Sequence, residues 1–192
     1  MWDGKIGIWE CVDFVAARRS SRHRAKGTIE PKPYNIDGKR YKELLLEKVL
    51  PAIKENCPPS MLRNTVCIQH DNAPPHRAAV TDDPDIVGCC NNLGLKPIKV
   101  IEQPPNSPDL NILDLGVFRS LQSRQFKKTP TTMQELINST KEVYTEFLMH
   151  LVDNVWLMLQ TVMNKIIECD GDNNYNLPHM NKRKLEHSGL LP

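Results

Sequence analysis

Two aspartates stand where a divalent cation could be held. Asp71 comes directly after His70 and the short run Thr65 to Gln69 (TVCIQ), which is apolar and rich in β-branched residues. A carboxylate on such a strand end has rigid support, and in open α/β sheets ligands gather at the carboxyl edges of strands. The plainer reading is that Asp71 and Asn72 form an Asx-type turn. Asp114 lies three residues after Asn111. If Asn111 caps a helix, Asp114 is either a second metal ligand or a carboxylate placed to suit the cap and the helix dipole. Asp109, in the SPDL turn, is its rival. The separation of 42 intervening residues between Asp71 and Asp114 neither favours nor opposes their convergence. His70 and His76 flank the same strand end, where imidazole could ligate a metal, touch phosphate or satisfy local backbone. Arg18, Arg19, Arg22, Arg24 and Lys26 place five positive charges within nine residues. That is a footprint for phosphate contacts, or else a solvated loop.

The elements that must position these groups belong to a chain of 192 residues, 40% hydrophobic and 25% charged, long enough for one core. Nothing in it approaches the roughly 18 to 20 consecutive apolar residues that cross a bilayer, and MWDGKIGIWE lacks a secretory apolar run. A soluble intracellular protein with no membrane partner is the expectation. The net charge of +2 leaves nucleic-acid binding to local charge distribution. Six cysteines, at 11, 57, 67, 89, 90 and 169, form no CxxC pair and no zinc-finger spacing, so reduced thiols are expected.

Lys5 to Val15 alternates loosely and predicts a strand, followed by the exposed basic loop over residues 17 to 27. Tyr41, Leu44, Leu45, Val49 and Ile53 recur at helical spacing from Asp37, a capping residue, to about Asn56, with Pro51 expected to bend or shorten the helix. Thr65 to Gln69 predicts a central buried strand, Pro84 to Leu93 a short helix and Lys96 to Gln103 another strand. This alternation argues for an α/β sheet with crossover helices. Asn111 to Gln125 and Thr132 to about Glu168 predict helices, the second interrupted near Asp153. The tail from Asp170 to Pro192, with its Lys182-Arg183-Lys184 cluster, is expected to be extended.

HDNAPPH at residues 70 to 76 and PPNSPDLNILDLGVF at 104 to 118 are more specific than any spacing. They resemble the second and third catalytic blocks of mariner-like transposases, most of all the plant and oomycete-type branch. DGKIGIW, the basic RSS loop, LLLEKVLPAIK and the closing NLPHMNK have counterparts there too. The resemblance implies a truncated RNase H-like α/β fold with a C-terminal helical extension. It further implies an acidic triad holding Mg²⁺ or Mn²⁺ for phosphoryl transfer on DNA. Asp71 matches the second triad member and Asp114 the third. Asn72, His76 and Asp109 take supporting places, and the basic loop is the expected nucleic-acid contact.

In that family the first aspartate lies on a strand upstream of DGKIGIW, and a helix-turn-helix region lies further upstream. Neither has a counterpart here, so the expectation is an inactive fragment whose ancestral work was cutting and joining transposon ends. The alternative is a non-catalytic remnant that binds nucleic acid or protein. The expected organisation is a partial catalytic domain over 1–130, helices over 131–169 and a tail over 170–192. Location is expected in the nucleus, with DNA as partner. An unpaired sheet edge would favour association, a homodimer included.

Overall fold

The computed structural model describes residues 2–22, 24–147, 149–172 and 174–176. The Lys182-Arg183-Lys184 cluster and all but the first residue of NLPHMNK lie outside the described residues.

The first ladder is a hairpin of β1 (Val12–Ala16) and β2 (Ile29–Pro33), with Val12 opposite Pro33 and Phe14 opposite Pro31. Tyr34 N–H donates to the Cys11 carbonyl at 3.3 Å, and Ala17 N–H to the Thr28 carbonyl at 2.8 Å. Bonded and non-bonded pairs alternate along an antiparallel ladder. The pairs between these ends therefore bond inward at 13 with 32 and 15 with 30. Pro31 and Pro33 fall on the outward-facing positions of β2, which marks that strand as an edge.

The predicted strand over Lys5 to Val15 is corrected to Val12–Ala16. Among the described residues, those before Cys11 meet no partner strand; they dock instead on the C-terminal helices and, through Ile6, on the main core, where Asn56 Nδ2 donates to the Ile6 carbonyl at 2.8 Å. Lys5 Nζ donates to the carbonyls of Tyr144, Thr145 and Phe147 at 3.1 to 3.3 Å and pairs with Asp3 at 2.9 Å. A cation suits the carbonyls at a helix C-terminus.

Asp37 caps α1 (Gly38–Leu44), accepting the Arg40 N–H at 2.8 Å. Pro51 neither ends nor shortens the helical run. Having no N–H for the Glu47 carbonyl, it is preceded by a π turn, Leu45–Val49, in which Leu50 N–H reaches back five residues to Leu45. Helicity resumes in α2 (Leu50–Asn56), and α3 (Pro59–Leu62) follows. β3 (Cys67–His70) runs parallel to β4 (Lys99–Glu102), with Ile68 opposite Val100 and His70 opposite Glu102. Between them lie a 3₁₀ turn, Pro74–Ala78, and α4 (Pro84–Leu93), which starts on an Asp83 cap and ends at Gly94 with φ 62°.

β3 is not the fully buried central strand expected. Cys67 and Gln69 are exposed, because the strand pairs on one edge among the described residues and packs inward only through Ile68 and His70. The main core lies behind that inner face. It contains Leu45, Leu50, Ile53, Ala79, Ile86, Cys90, Leu95 and Ile98.

After a 3₁₀ turn, Pro108–Leu110, and a π turn, Leu113–Val117, the chain enters α5 (Phe118–Phe126), α6 (Met133–Thr145) and α7 (Met149–Glu168). Thr132 and Glu135 form a reciprocal capping box at the start of α6. The interruption expected near Asp153 falls instead at Glu146 and Phe147, where Phe147 is buried beside Val117 and Val155. Burying Phe147 at that corner lets α7 turn back over the segment that carries Asp114.

Candidate functional site

Asp71 leaves β3 at its carboxyl end, half exposed and held from several sides. Its Oδ1 accepts the Ala73 N–H at 2.9 Å, which is the Asx turn, and lies 2.7 Å from His76 Nδ1. Its backbone carbonyl lies 2.8 Å from His70 Nδ1 and 3.1 Å from His76 Nδ1. With a proton on each Nδ1, both imidazoles donate to residue 71. Both contacts to the side chain fall on one oxygen, Oδ1.

α1 closes the back of this edge. An added Cβ on Gly38 would stand 2.9 Å from Ala78 Cβ, so only glycine lets the helix start lie this close to the Pro74–Ala78 turn. That approach places the Tyr41 ring 4.3 Å from the His76 ring and 6.3 Å from the His70 ring, centre to centre. The two imidazoles are 5.0 Å apart. Burial, and then the charge of Asp71, push the Tyr41 phenol above its ordinary value. Tyr41 was legible only as an apolar helix position. No signal in its spacing connected it to a histidine-aspartate edge some thirty residues later.

The turn between β4 and Asp114 is tied to the same edge through backbone. Asn72 Nδ2 donates to the Gln103 carbonyl at 2.9 Å, and Gln103 N–H to the His70 carbonyl at 2.9 Å. Gln103 Nε2 bonds the Ser107 carbonyl at 2.7 Å, and Gln69 Nε2 the Leu110 carbonyl at 3.0 Å. Asn106 takes φ 56° inside the turn, a conformation that asparagine tolerates better than most residues.

Asp114 is exposed in the π turn. Asn111 uses its side chain twice there, accepting the Leu113 N–H at 3.0 Å and donating to Asp114 Oδ2 at 2.9 Å. Asp109 accepts the hydroxyl of Tyr175, a residue just beyond α7. Burial and the Asp109 carboxylate push that phenol up to about 12. Sequence reasoning offered no sign of this tie.

Two buried acceptors at the strand ends, His70 Nε2 and Gln103 Oε1, have no hydrogen-bond partner among the described residues. Among those residues, too, no three His, Cys, Asp or Glu side chains converge as a metal-ligand group. The oxygen donors suit a hard cation in kind, and each carboxylate keeps one oxygen outside the bonds named above.

The basic loop sits elsewhere, at the tip of the β1–β2 hairpin. Arg18, Arg19, Arg22, Arg24 and Lys26 are all exposed. Arg24 pairs with Glu30, while among the described residues the other four make no ion pair.

No family model matches the chain, and no curated protein does. Among solved structures it is similar to the catalytic domain of Mos1 mariner transposase, at 18% identity with a TM-score of 0.58, over 77% of this chain and 70% of that one. Two structures of the Mos1 transposase catalytic domain and raltegravir, one with Mg and one with Mn, match at 19% identity, TM-score 0.58, over 77% and 71%. The chain thus has the fold of a mariner transposase catalytic domain. No helix among the described residues is long and apolar enough to cross a membrane.

Proposed function

We propose that this chain is part of a mariner-like transposase catalytic domain, of the plant and oomycete-type branch, and that its substrate is DNA at transposon ends in the nucleus. The observation that carries the reading is Asp71. It is a half-exposed carboxylate braced by His76 and the Ala73 amide at the carboxyl edge of a parallel strand pair, in a chain with this fold.

Asp71 and Asp114 would hold Mg²⁺ or Mn²⁺, the pair of metals present in the Mos1 structures. Such an ion, when bound, activates an attacking oxygen and stabilises the leaving one in phosphoryl transfer. The chain's own residues do the positioning. His76 and the Ala73 amide fix Asp71 Oδ1, and Asn72 ties the strand end to Gln103. Asn111 orients Asp114, and Asp109 anchors the preceding turn to Tyr175. Two carboxylates alone leave a divalent ion holding most of its water, so a further ligand is needed for rapid turnover. The helices after residue 131 form a C-terminal extension to this domain.

The test is Mn²⁺ binding, followed by loss of the free-ion paramagnetic signal, together with nicking of supercoiled plasmid in Mn²⁺. Asp71→Asn and Asp114→Asn should each weaken binding and abolish whatever nicking the chain supports. Binding and nicking left unchanged in both variants would remove the metal site.

The exposed arginines on the hairpin favour a second reading, in which the chain binds DNA without cutting it. Four uncommitted cations predict a slope of log affinity against log salt of about −3.6 on duplex DNA. Replacing Arg19 and Arg22 by alanine should make that slope shallower by about 1.8, whatever residue 71 is. A slope that does not move would exclude the loop as the contact.

A further inference from the structure

We infer that Tyr175 is a positioning residue for Asp114: its hydroxyl on Asp109 locks the turn from which Asp114 is aimed, and it keeps Asp109 from acting as a ligand in its place. The inference rests on the metal reading of Asp71 and Asp114, and it adds to that site a residue 66 positions from the carboxylate it bonds.

The chain is bent to make this contact. α7 stops on two left-handed residues in succession, Asp170 at φ 54° and Gly171 at φ 91°. Gly171 N–H returns to the Ile166 carbonyl at 2.8 Å and Asp170 N–H to the Ile167 carbonyl at 3.2 Å, a pair of bonds that closes a helix and turns its chain aside. Beyond that stop, Asp172 N–H bonds the Cys169 carbonyl at 3.0 Å, and Asn174 N–H the Asp172 carboxylate at 3.1 Å. Tyr175 follows at once, half-buried, with its hydroxyl on Asp109 Oδ2.

α7 packs across the same segment. An added Cβ on Gly116 would stand 3.0 Å from Val155 Cγ2, and Val155 is buried with Val117 and Phe147. The helix therefore presses on the turn Leu113–Val117, which carries Asp114, while the residue just past its end holds the turn before it, Pro108–Leu110.

From Asp109 the constraint reaches Asp114 in short steps. Leu110 N–H closes the Pro108–Leu110 turn on the Ser107 carbonyl, and Asn111 N–H on the Pro108 carbonyl, both at 3.1 Å. Asn111 then orients Asp114, donating to its Oδ2 at 2.9 Å while accepting the Leu113 N–H at 3.0 Å. A ligand is held only as well as the groups that orient it, and the place of Asn111 depends on the turn that Tyr175 pins. The two rival carboxylates are thereby divided. Asp109 is half-buried with a phenol on one oxygen, whereas Asp114 is exposed with its Oδ1 outside these bonds.

The experiment is the Mn²⁺ affinity of the full chain, read from the free-ion paramagnetic signal, with far-ultraviolet dichroism as a check on folding. Removing a group bonded directly to a ligand costs roughly 10- to 100-fold in metal affinity. Tyr175→Phe acts from further out and should weaken Mn²⁺ by about three- to tenfold. Asp109→Asn should do the same, and the two together no more than either alone, because each breaks one link. In an Asp114→Asn background, Tyr175→Phe should have no further effect, which a general loosening of the fold would not give. Were Asp109 a ligand, Tyr175→Phe would free its oxygen and tighten Mn²⁺, and Asp109→Asn would cost as much as Asp114→Asn. Either result overturns the proposal. Should Tyr175→Phe fail to fold, Asp109→Asn decides alone, by falling short of Asp114→Asn and by losing its effect in the Asp114→Asn background. Binding that responds to Asp114→Asn but not to Tyr175→Phe removes this inference only, whereas binding indifferent to both Asp71→Asn and Asp114→Asn removes the metal site and this inference with it.

Discussion

The β3–β4 pair and the β1–β2 hairpin are both two-stranded, yet they are held in opposite ways. Behind β3 and β4 lies the main core, with Leu50, Ile98 and Cys90 each about 1 to 2% exposed. Phe14 and Ile29 of the hairpin are more than half exposed, and it meets the body where β2 lies against α6 and where the Arg40 guanidinium reaches Asp13 at 3.2 to 3.3 Å, with Arg40 stacked 3.8 Å over Tyr34. The difference follows the chemistry each region is proposed to do. A metal-binding carboxylate must be fixed within a fraction of an ångström, which needs close packing behind it. A phosphate-binding arginine loop reads charge over a longer range and tolerates a looser mount.

The comparison breaks first under large-to-small substitution. Ile98→Ala should cost about 2 to 5 kcal/mol, since a fully buried side chain leaves a cavity. Phe14→Ala should stay within about 0.5 kcal/mol, as exposed positions do. Urea unfolding of both variants checks this. Equal losses would mean that the hairpin is packed as tightly as the strand pair.

The contrast also explains which parts of the molecule could be read from the residues. Helix Pro84–Leu93 was legible to its ends, because its start has Pro and its stop has Gly94, both local signals. Asp71, Asn72 and His76 were legible because they are contiguous with the strand that positions them, and the Asx turn at Asp71 and its place on a strand edge hold at once. β2 was not legible, since IEPKP carries two prolines and only its pairing partner makes it a strand. The helix interruption was misplaced because Phe147 continues the apolar spacing while the backbone turns. Tyr41, Gln103 and Tyr175 reach the site across long stretches of sequence, as does the Leu110 carbonyl that Gln69 bonds, and no local pattern encodes such contacts.

A smaller effect should come from one carbon atom. Gly38→Ala forces a Cβ against Ala78 at 2.9 Å, and the helix must shift to relieve it. Overpacking of this kind costs about 1 to 3 kcal/mol. The shift also moves Tyr41 away from His76, so Mn²⁺ affinity should fall together with stability. On the hairpin, Gly27→Ala meets no atom within 4 Å, and its cost is confined to the strain of φ 89°. If Gly38→Ala changed stability but left Mn²⁺ binding intact, the packing behind Asp71 would be unnecessary for the site.

The smallest effect is a pH dependence in the packed region. Asp83 caps α4 through the Asp85 and Ile86 N–H groups at 3.0 and 3.2 Å, and Lys42 lies 2.8 Å from its other oxygen. Lys42, then the two amides, hold the carboxyl below its ordinary 3.8, against the opposing effect of burial. A carboxyl depressed in the folded state stabilises the fold fully above its unfolded value and loses that contribution as pH falls through the folded one. Asp83→Asn retains a capping oxygen but not the charge, so it should cost about 1 kcal/mol or less at pH 7. Between pH 4 and the acid transition, the wild-type stability should fall more steeply than that of the variant, and the two curves should converge. Parallel curves across that window would show that Lys42 contributes nothing through Asp83, and that the cap alone fixes the start of α4.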